Sequence, residues 1–332
     1  MIISRTPFRV SFFGGGTDYP GWFEKHKGAV LATTIDKYCY ITCRYLPPFF
    51  EHKSRIIYSK TEHVQRHSKI KHPAVREVLK FLKIEQGIEI HHDGDLPART
   101  GLGSSSSFTV GLLNSLYALK GVMPTDEQLA REAITIEQEM CKENVGCQDQ
   151  TLAAYGGFNY IEFGGQHHLR VRKVTANKQT LQDLQNHLMM FFSGFSRTAS
   201  QIAAHQVKNI ANKQKELKSI YDLTQEALKI LQNKDMRAFG KLLHESWQLK
   251  RTLSEKITTP HIDEIYNTAR KAGAIGGKLL GAGGGGFVLL FVAPERQQNV
   301  RLKLRKFLEV PFKFETLGSQ IIFYQPNTGR VS

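Results

Sequence analysis

Two glycines and four serines stand together in Thr100-Gly101-Leu102-Gly103-Ser104-Ser105-Ser106-Ser107. An apolar, strand-like run at 87–91 precedes them, and Phe108–Leu119 has the character of a helix. Glycine allows tight turns and close approach of another atom. The first N–H groups of a helix lack intrahelical partners, and with the positive end of the helix dipole they form an anion site. Serine hydroxyls add donors and can ligate a magnesium ion. The stretch from Pro97 therefore reads as a loop that cradles a nucleotide triphosphate. It reads equally as a flexible Gly/Ser turn, because serine is also a preferred helix cap.

Three further places carry groups that could do chemistry. Gly14-Gly15-Gly16-Thr17-Asp18 breaks a strand and offers a hydroxyl and a carboxylate. Asp18 could accept hydrogen bonds from sugar hydroxyls, or it could cap its own hairpin. Glu137 falls among Ala130, Ala133, Ile134 and Met140 on one face of a helix. A carboxylate there needs a partner, either a metal ion or an Arg or Lys, and the residues alone favour the basic side chain. The third place is the glycine-rich run 276–286.

Gly281, Gly283 and Gly286 satisfy G-x-G-x-x-G in form, but the strand-like Phe287–Val292 follows where a dinucleotide fold needs a helix. Leu279 after Gly277-Lys278 excludes a P-loop, and neither H-R-D nor D-F-G of the protein kinases occurs.

The elements that must position these groups follow from periodicity. Residues 2–13, 29–44, 55–59 and 87–91 read as strands, and Pro73–Leu82 as an amphipathic helix. Thr125–Lys142 reads as one helix opened by Thr125 and Gln128 at capping-box spacing. A short helix over 150–155 and strands at 157–163, 168–174 and 187–192 come next. Helices are expected over 201–232, 235–253, 260–272 and 300–308, with a terminal strand pair at 312–316 and 320–325. The β-rich first half and helix-rich second half with a final sheet predict an α+β fold. A boundary within the polar segment 164–186 divides it into domains 1–175 and 176–332.

The 332 residues carry a formal charge of +15, with 41% hydrophobic residues. That balance suits anionic partners, but the basic residues are spread out and no basic–aromatic cluster marks a nucleic-acid surface. No apolar run approaches the roughly 18 residues of a membrane span. The chain opens directly in strand-like sequence without a signal-peptide pattern, so a cytoplasmic protein is expected. The spacing of Cys39, Cys43, Cys141 and Cys147 fits neither a zinc ribbon nor a C-x-x-C pair, and free thiols are expected.

Taken together, three stretches resemble the galactokinase–homoserine kinase–mevalonate kinase–phosphomevalonate kinase (GHMP) superfamily. They are Pro7–Asp18, the P-x-x-x-G-L-G-S-S of Pro97–Ser105, and Lys278–Phe287, in the family's order. The resemblance implies a ribosomal-S5-like N-terminal domain and a ferredoxin-like C-terminal domain. It implies an ATP-dependent sugar kinase, with ATP held by Pro97, Gly101, Leu102, Gly103, Ser104, Ser105 and Ser106. Ser105 and Glu137 would hold Mg²⁺. Asp149 would be the catalytic carboxylate, and Arg9 would stabilise it and the developing phosphate charge. Gly14, Gly15, Gly16, Thr17, Asp18, Arg99, Arg197, Gly283 and Gly284 would meet the acceptor.

Galactokinases carry Glu-His where this chain has Gly15-Gly16. Gly-Gly-Thr-Asp is instead similar to the branch whose members act on D-glycero-D-manno-heptose 7-phosphate and on fucose. It implies transfer to the anomeric C1 hydroxyl of the heptose 7-phosphate, for nucleotide-heptose and surface polysaccharide synthesis, with a neutral, fucose-like sugar as the alternative. Lys37, Arg44, Arg99 and Arg197 are candidate contacts for an acceptor phosphate. The expected partners are ATP and a sugar phosphate, with no nucleic acid and no membrane. Self-association into a homo-oligomer stays open.

Overall fold

The structure, a computed structural model, describes residues 1–165, 169–194 and 199–326. The elements run β1 (Ile2–Phe13), α1 (Pro20–Phe23), β2 (Gly28–Tyr45), β3 (Ser54–Ile57), β4 (Thr61–Val64), α2 (Pro73–Phe81) and β5 (Ile88–Gly94). Then come α3 (Ser104–Leu119), α4 (Asp126–Thr135), α5 (Gln148–Tyr155), β6 (Phe158–Phe163), β7 (Leu169–Lys173), α6 (Lys178–Asn186) and β8 (Leu188–Phe192). The second half holds α7 (Ala199–Asn209), α8 (Gln214–Gln232), α9 (Met236–Thr252), α10 (Pro260–Ala272), β9 (Ala274–Leu279) and β10 (Phe287–Val292). It closes with α11 (Pro294–Lys303), β11 (Leu308–Glu309), β12 (Phe314–Glu315) and β13 (Gln320–Tyr324).

Two sheets result. The larger has the order β13-β1-β2-β5-β3-β4, with β12 and β6 also on the long β2, and β7 on β6. The smaller is β11-β8-β10-β9, antiparallel throughout. The fold is α+β, as expected.

Helix α3 runs through the core of the first half and is buried from Ser106 to Leu119. Buried on all sides, it needs no amphipathic pattern. Caps define several other helices. Thr125 accepts from the Gln128 N–H at α4, Asn177 from the Thr180 N–H at α6, and Thr259 from the Ile262 N–H at α10. All four cysteines are free.

The structure corrects four boundaries. Residues 312–316 and 320–325 do not pair with each other: β12 pairs with β2 and β13 with β1, so the end of the chain returns to the first sheet. The helix expected at 300–308 runs over 294–303, started by Pro294 at its first turn, where the missing N–H costs nothing. The expected helix over 201–232 breaks at a 3₁₀ turn, Ile210–Asn212. The one over 125–142 leaves α-geometry at Ile136, where a π-helical turn runs to Met140.

An aromatic cluster joins the two sheets. Phe239 of α9 packs edge-on to Phe12 and Phe13 of β1, with ring centroids 5.9 and 5.2 Å away, and lies 5.8 Å from Phe291 of β10. Phe12 also meets Phe158 and Phe314. Because this cluster spans both halves, Phe239→Ala should destabilise the whole chain by about 3–5 kcal/mol. Equilibrium urea unfolding would show a lower midpoint with one transition for both sheets, and an unchanged midpoint would contradict the role given to this ring.

Candidate active site

The site starts at Arg9, in the middle of β1. Its side chain is only 5% exposed. Nε and one terminal nitrogen donate to the two carboxylate oxygens of Asp149 at 2.7 and 2.8 Å. The other terminal nitrogen donates to the Gly101 carbonyl at 2.6 Å, and the Arg9 backbone N–H donates to the Leu102 carbonyl at 3.0 Å. One residue thus fixes the serine-rich loop and the carboxylate together. Gly103 caps α3 in the left-handed conformation. A Cβ placed there would lie 3.4 Å from Asp149 Oδ2, so the acid stands at the mouth of the helix N-terminus.

Within the loop, Pro97 and Arg99 are exposed, while Leu102, Ser106 and Ser107 are buried. The Ser104 hydroxyl accepts from the Arg99 N–H, and the Ser107 hydroxyl donates to the Pro7 carbonyl. The third glycine-rich run forms the β9–β10 turn and lies on this loop backbone to backbone. A Cβ on Gly281 would be 2.4 Å from Gly101 Cα, and one on Gly286 would be 2.2 Å from the Thr100 carbonyl oxygen.

Glu137 is buried in the π-helical turn. Its partner is neither Arg nor Lys. Ser106 and Thr109 donate to its oxygens at 2.7 Å each, and the Gln150 side chain donates a third hydrogen bond. Burial raises its pKa to about 7, against the lowering effect of these donors. A buried carboxylate held by neutral groups fits a cation, and a hydroxyl beside it is a suitable second oxygen ligand for magnesium. The hydroxyls at Glu137 belong to Ser106 and Thr109. Ser105, the expected partner, is exposed, and no hydrogen bond joins it to Glu137. Helical rotation explains the difference: Ser106 faces the π-helical turn, and Ser105 faces out.

The first motif is more inward than expected. Thr17 and Asp18 are buried. The Thr17 hydroxyl donates to the Gly14 and Ala29 carbonyls. Asp18 accepts from the Gly16 N–H at 2.9 Å and the Gln148 side chain at 3.0 Å, and burial raises its pKa. Both residues are thus engaged in shaping the loop. Gly15 is open: a Cβ added there would have the Gln148 side-chain nitrogen 3.7 Å away. A cleft beside Gly16 is lined by Tyr19, Gln206, Lys213, Leu217 and Leu253.

Other expected contacts lie apart. Arg99 sits on the outer turn of the phosphate loop, its charge acting on Glu143 and His72, and no hydrogen bond or ion pair links it to 14–18. Gly283 and Gly284 pack on Ile257. Arg44 pairs with Glu89 at 2.6 Å and Lys37 with Asp36 at 3.4 Å. Arg197 lies outside the described residues.

Two lysines were missed. Lys250 of α9 and Lys278 of β9 are buried. Lys278 donates to the Phe12 carbonyl at 2.8 Å, and Lys250 donates to the Gly281 carbonyl. Arg9 and Asp18 act electrostatically on both. The signal for Lys250 was its place in register with Phe239, Leu243 and Trp247 on the buried stripe of α9.

The GHMP kinases N terminal domain model matches residues 68–157 and the GHMP kinases C terminal model matches 224–310. The chain belongs to the GHMP kinase family, and it is an ATP-dependent kinase. It is similar to the D-glycero-alpha-D-manno-heptose 7-phosphate kinase of Campylobacter jejuni, 29% identical over 317 residues, covering 92% of this chain and 93% of that protein. A bifunctional fucokinase/GDP-fucose pyrophosphorylase of Arabidopsis thaliana is 25% identical over 335 residues, covering 92% of this chain and 31% of that protein. The crystal structure of a D-glycero-D-manno-heptose 1-phosphate kinase from Bacteroides thetaiotaomicron shares the fold at TM-score 0.76 and 23% identity, covering 96% and 98% of the two chains. No helix among the described residues is long and apolar enough to cross a membrane.

Glu137 gives a pH prediction for the ligand-free protein. Its pKa is higher folded, about 7, than unfolded, about 4.3. The folded state then binds more protons across that window, so this group lowers stability as pH rises through it. Glu137→Gln should remove a slope of up to about 1.4 kcal/mol per pH unit. Urea midpoints measured at several pH values in chelator would reveal it, and parallel curves for variant and wild type would contradict it.

Proposed function

We propose that the protein transfers the γ-phosphoryl group of ATP to the anomeric C1 hydroxyl of D-glycero-D-manno-heptose 7-phosphate, giving the 1,7-bisphosphate. The observation that carries the transfer is the Arg9-held Asp149 carboxylate beside Gly103 at the N-terminus of α3. The sugar rests on the similarity to the heptose 7-phosphate kinase of Campylobacter jejuni over nearly the full length of both chains, and on the room left beside Gly15. A basic chain of charge +15 suits an acceptor that already carries phosphate. The product suits a cytoplasmic route to nucleotide-heptoses for surface polysaccharide.

Phosphoryl transfer needs positioning and charge neutralisation more than covalent help. The backbone N–H groups opening α3 and the Ser104–Ser106 hydroxyls would hold the triphosphate. Mg²⁺ would be held by Glu137 with a hydroxyl from Ser106 or Ser105, and when bound it supplies neutralisation of phosphate charge. The acceptor would lie between Gly15–Gly16 and the cleft at Tyr19 and Gln206. Asp149 takes the C1 hydroxyl proton as the oxygen bonds to γ-phosphorus and the bond to ADP breaks. Arg9 orients Asp149 through both carboxylate oxygens. The anomeric hydroxyl is more acidic than an ordinary alcohol, so a carboxylate base suffices.

The likeness to the fucokinase supports a second reading, a sugar-1-kinase with a neutral acceptor. Product analysis with both sugars separates the two, and a strong preference for the unphosphorylated sugar would reject the heptose phosphate. A general base is worth about 10²–10⁴-fold in rate. Asp149→Ala should lose that much turnover while ATP affinity, read by calorimetry, changes little. Undiminished turnover would remove Asp149 from the chemistry. Glu137→Gln should raise the Mg²⁺ concentration needed for half-maximal rate, and an unaltered requirement would move the metal elsewhere.

A further inference from the structure

Lys250 stands in the last turn of α9, with a side chain only 9% exposed. Burying an ammonium costs free energy unless a charge and hydrogen bonds answer it. Among the described residues no carboxylate pairs with Lys250, and its one hydrogen bond goes to the Gly281 carbonyl. Gly281 is the glycine packed against Gly101, so the ammonium reaches the phosphate loop through a single intervening residue.

The charged groups facing Lys250 are Arg9 of β1, Asp18 of the first motif, Asp149 of α5 and Lys278 of β9. Neither acid is available to it. Asp149 is bound through both oxygens by Arg9. Asp18 is bound by the Gly16 N–H and by Gln148. Lys278 is more deeply buried and braces β9 to β1 through the Phe12 carbonyl. Burial lowers the Lys250 pKa to about 8, with Arg9 adding to the effect, so the charged form still prevails at neutral pH.

Arg9 is committed as well. Its guanidinium answers Asp149 and the Gly101 carbonyl, and its charge is largely cancelled by the acid it holds. In transfer, negative charge spreads over the three equatorial oxygens of the moving phosphoryl group. Among the described residues Lys250 and Lys278 are the two buried ammonium groups here without an acid of their own, and of these only Lys250 is fixed to the glycine turn that packs on Gly101. We propose that Lys250 is a catalytic residue whose ammonium meets the phosphoryl group in transit between ATP and the acceptor oxygen. This rests on phosphoryl transfer at Asp149, whatever the sugar.

The test is binding of ADP with aluminium fluoride, a mimic of the planar phosphoryl group, in magnesium buffer. It needs no knowledge of the acceptor. Wild-type protein should bind this pair more tightly than ADP alone. Lys250→Met keeps the length and removes the charge. It should weaken the ADP–aluminium fluoride complex about 100-fold or more, the scale of one charge-stabilising donor, and leave ADP affinity nearly unchanged. Its melting temperature should hold or rise, because an unpaired buried charge is gone.

Equal trapping by K250M and wild type would overturn the inference. A fall in ADP affinity as large as the fall in trapping would also overturn it, because that marks a strut for the loop. If K250M fails to fold, Lys250→Arg must retain the trap and Lys250→Gln must lose it. Failure of the wild type to form the trap would instead overturn the kinase mechanism, and this inference with it.

Discussion

The bidentate pair between Arg9 and Asp149 is the constraint on which the site depends. Arg9 sits mid-strand in β1, where side-chain direction is set by the sheet. Its guanidinium can be buried there only because Asp149 and the Gly101 carbonyl meet it. Removing one partner of such a pair leaves an uncompensated charge and costs about 3–5 kcal/mol. The pair therefore does two things. It locks α5 and the 97–103 loop to β1, and it fixes the acid's orientation relative to the N-terminus of α3. A carboxylate so placed would otherwise be free to rotate away from the anion site that opens beside it.

A second constraint is steric. The two glycine-rich loops touch through backbone atoms, and the Gly101–Gly281 and Gly286–Thr100 contacts leave no room for a side chain. The same holds at Gly14, where a Cβ would fall 1.8 Å from the Ala29 carbonyl. These contacts make the two halves share one site: a loop from the first half rests directly on a hairpin turn of the second. They also give the rejected dinucleotide pattern its real meaning. Gly281, Gly283 and Gly286 carry positive φ angles in a β-hairpin turn, where a helix N-terminus was the alternative.

Much of this was legible in the residues. The motif at 97–107, the break at 14–18 and the strand after Gly286 each follow from local chemistry, and the structure has the loop, the turn and the strand they predict, while the partner strand β9 before the glycines was not read. What stayed hidden was direction. Four adjacent serines do not say which hydroxyl faces inward; the rotation of α3 selects Ser106 and Ser107. Asp18 looked available because it follows three glycines, yet the turn folds its carboxylate back onto the Gly16 N–H. The π-helical turn that carries Glu137 inserts an extra residue per turn, which no 3.6-residue pattern can show. Lys250 follows the buried stripe of α9 in register, but a lysine on a stripe usually snorkels to water, and only the packed hairpin turn shows that this one cannot. The strands β12 and β13 needed long-range pairing with β2 and β1, which sequence distance conceals.

The charges that lack a counterion point the same way. Among the described residues Glu137 is a buried acid without a cation, and Lys250 is a buried cation without an acid. They are not partners of each other, because each is engaged by neutral groups. Each reaches the phosphate loop by a short path: Glu137 through the Ser106 hydroxyl, Lys250 through Gly281 against Gly101. A fold selected for stability alone would have paired them or replaced both with apolar side chains. Leaving them separate keeps a place for a positive charge near Glu137 and a negative one near Lys250. A nucleotide triphosphate with its cation would bring both, and on the proposed mechanism the residues that weaken the empty protein would strengthen that complex.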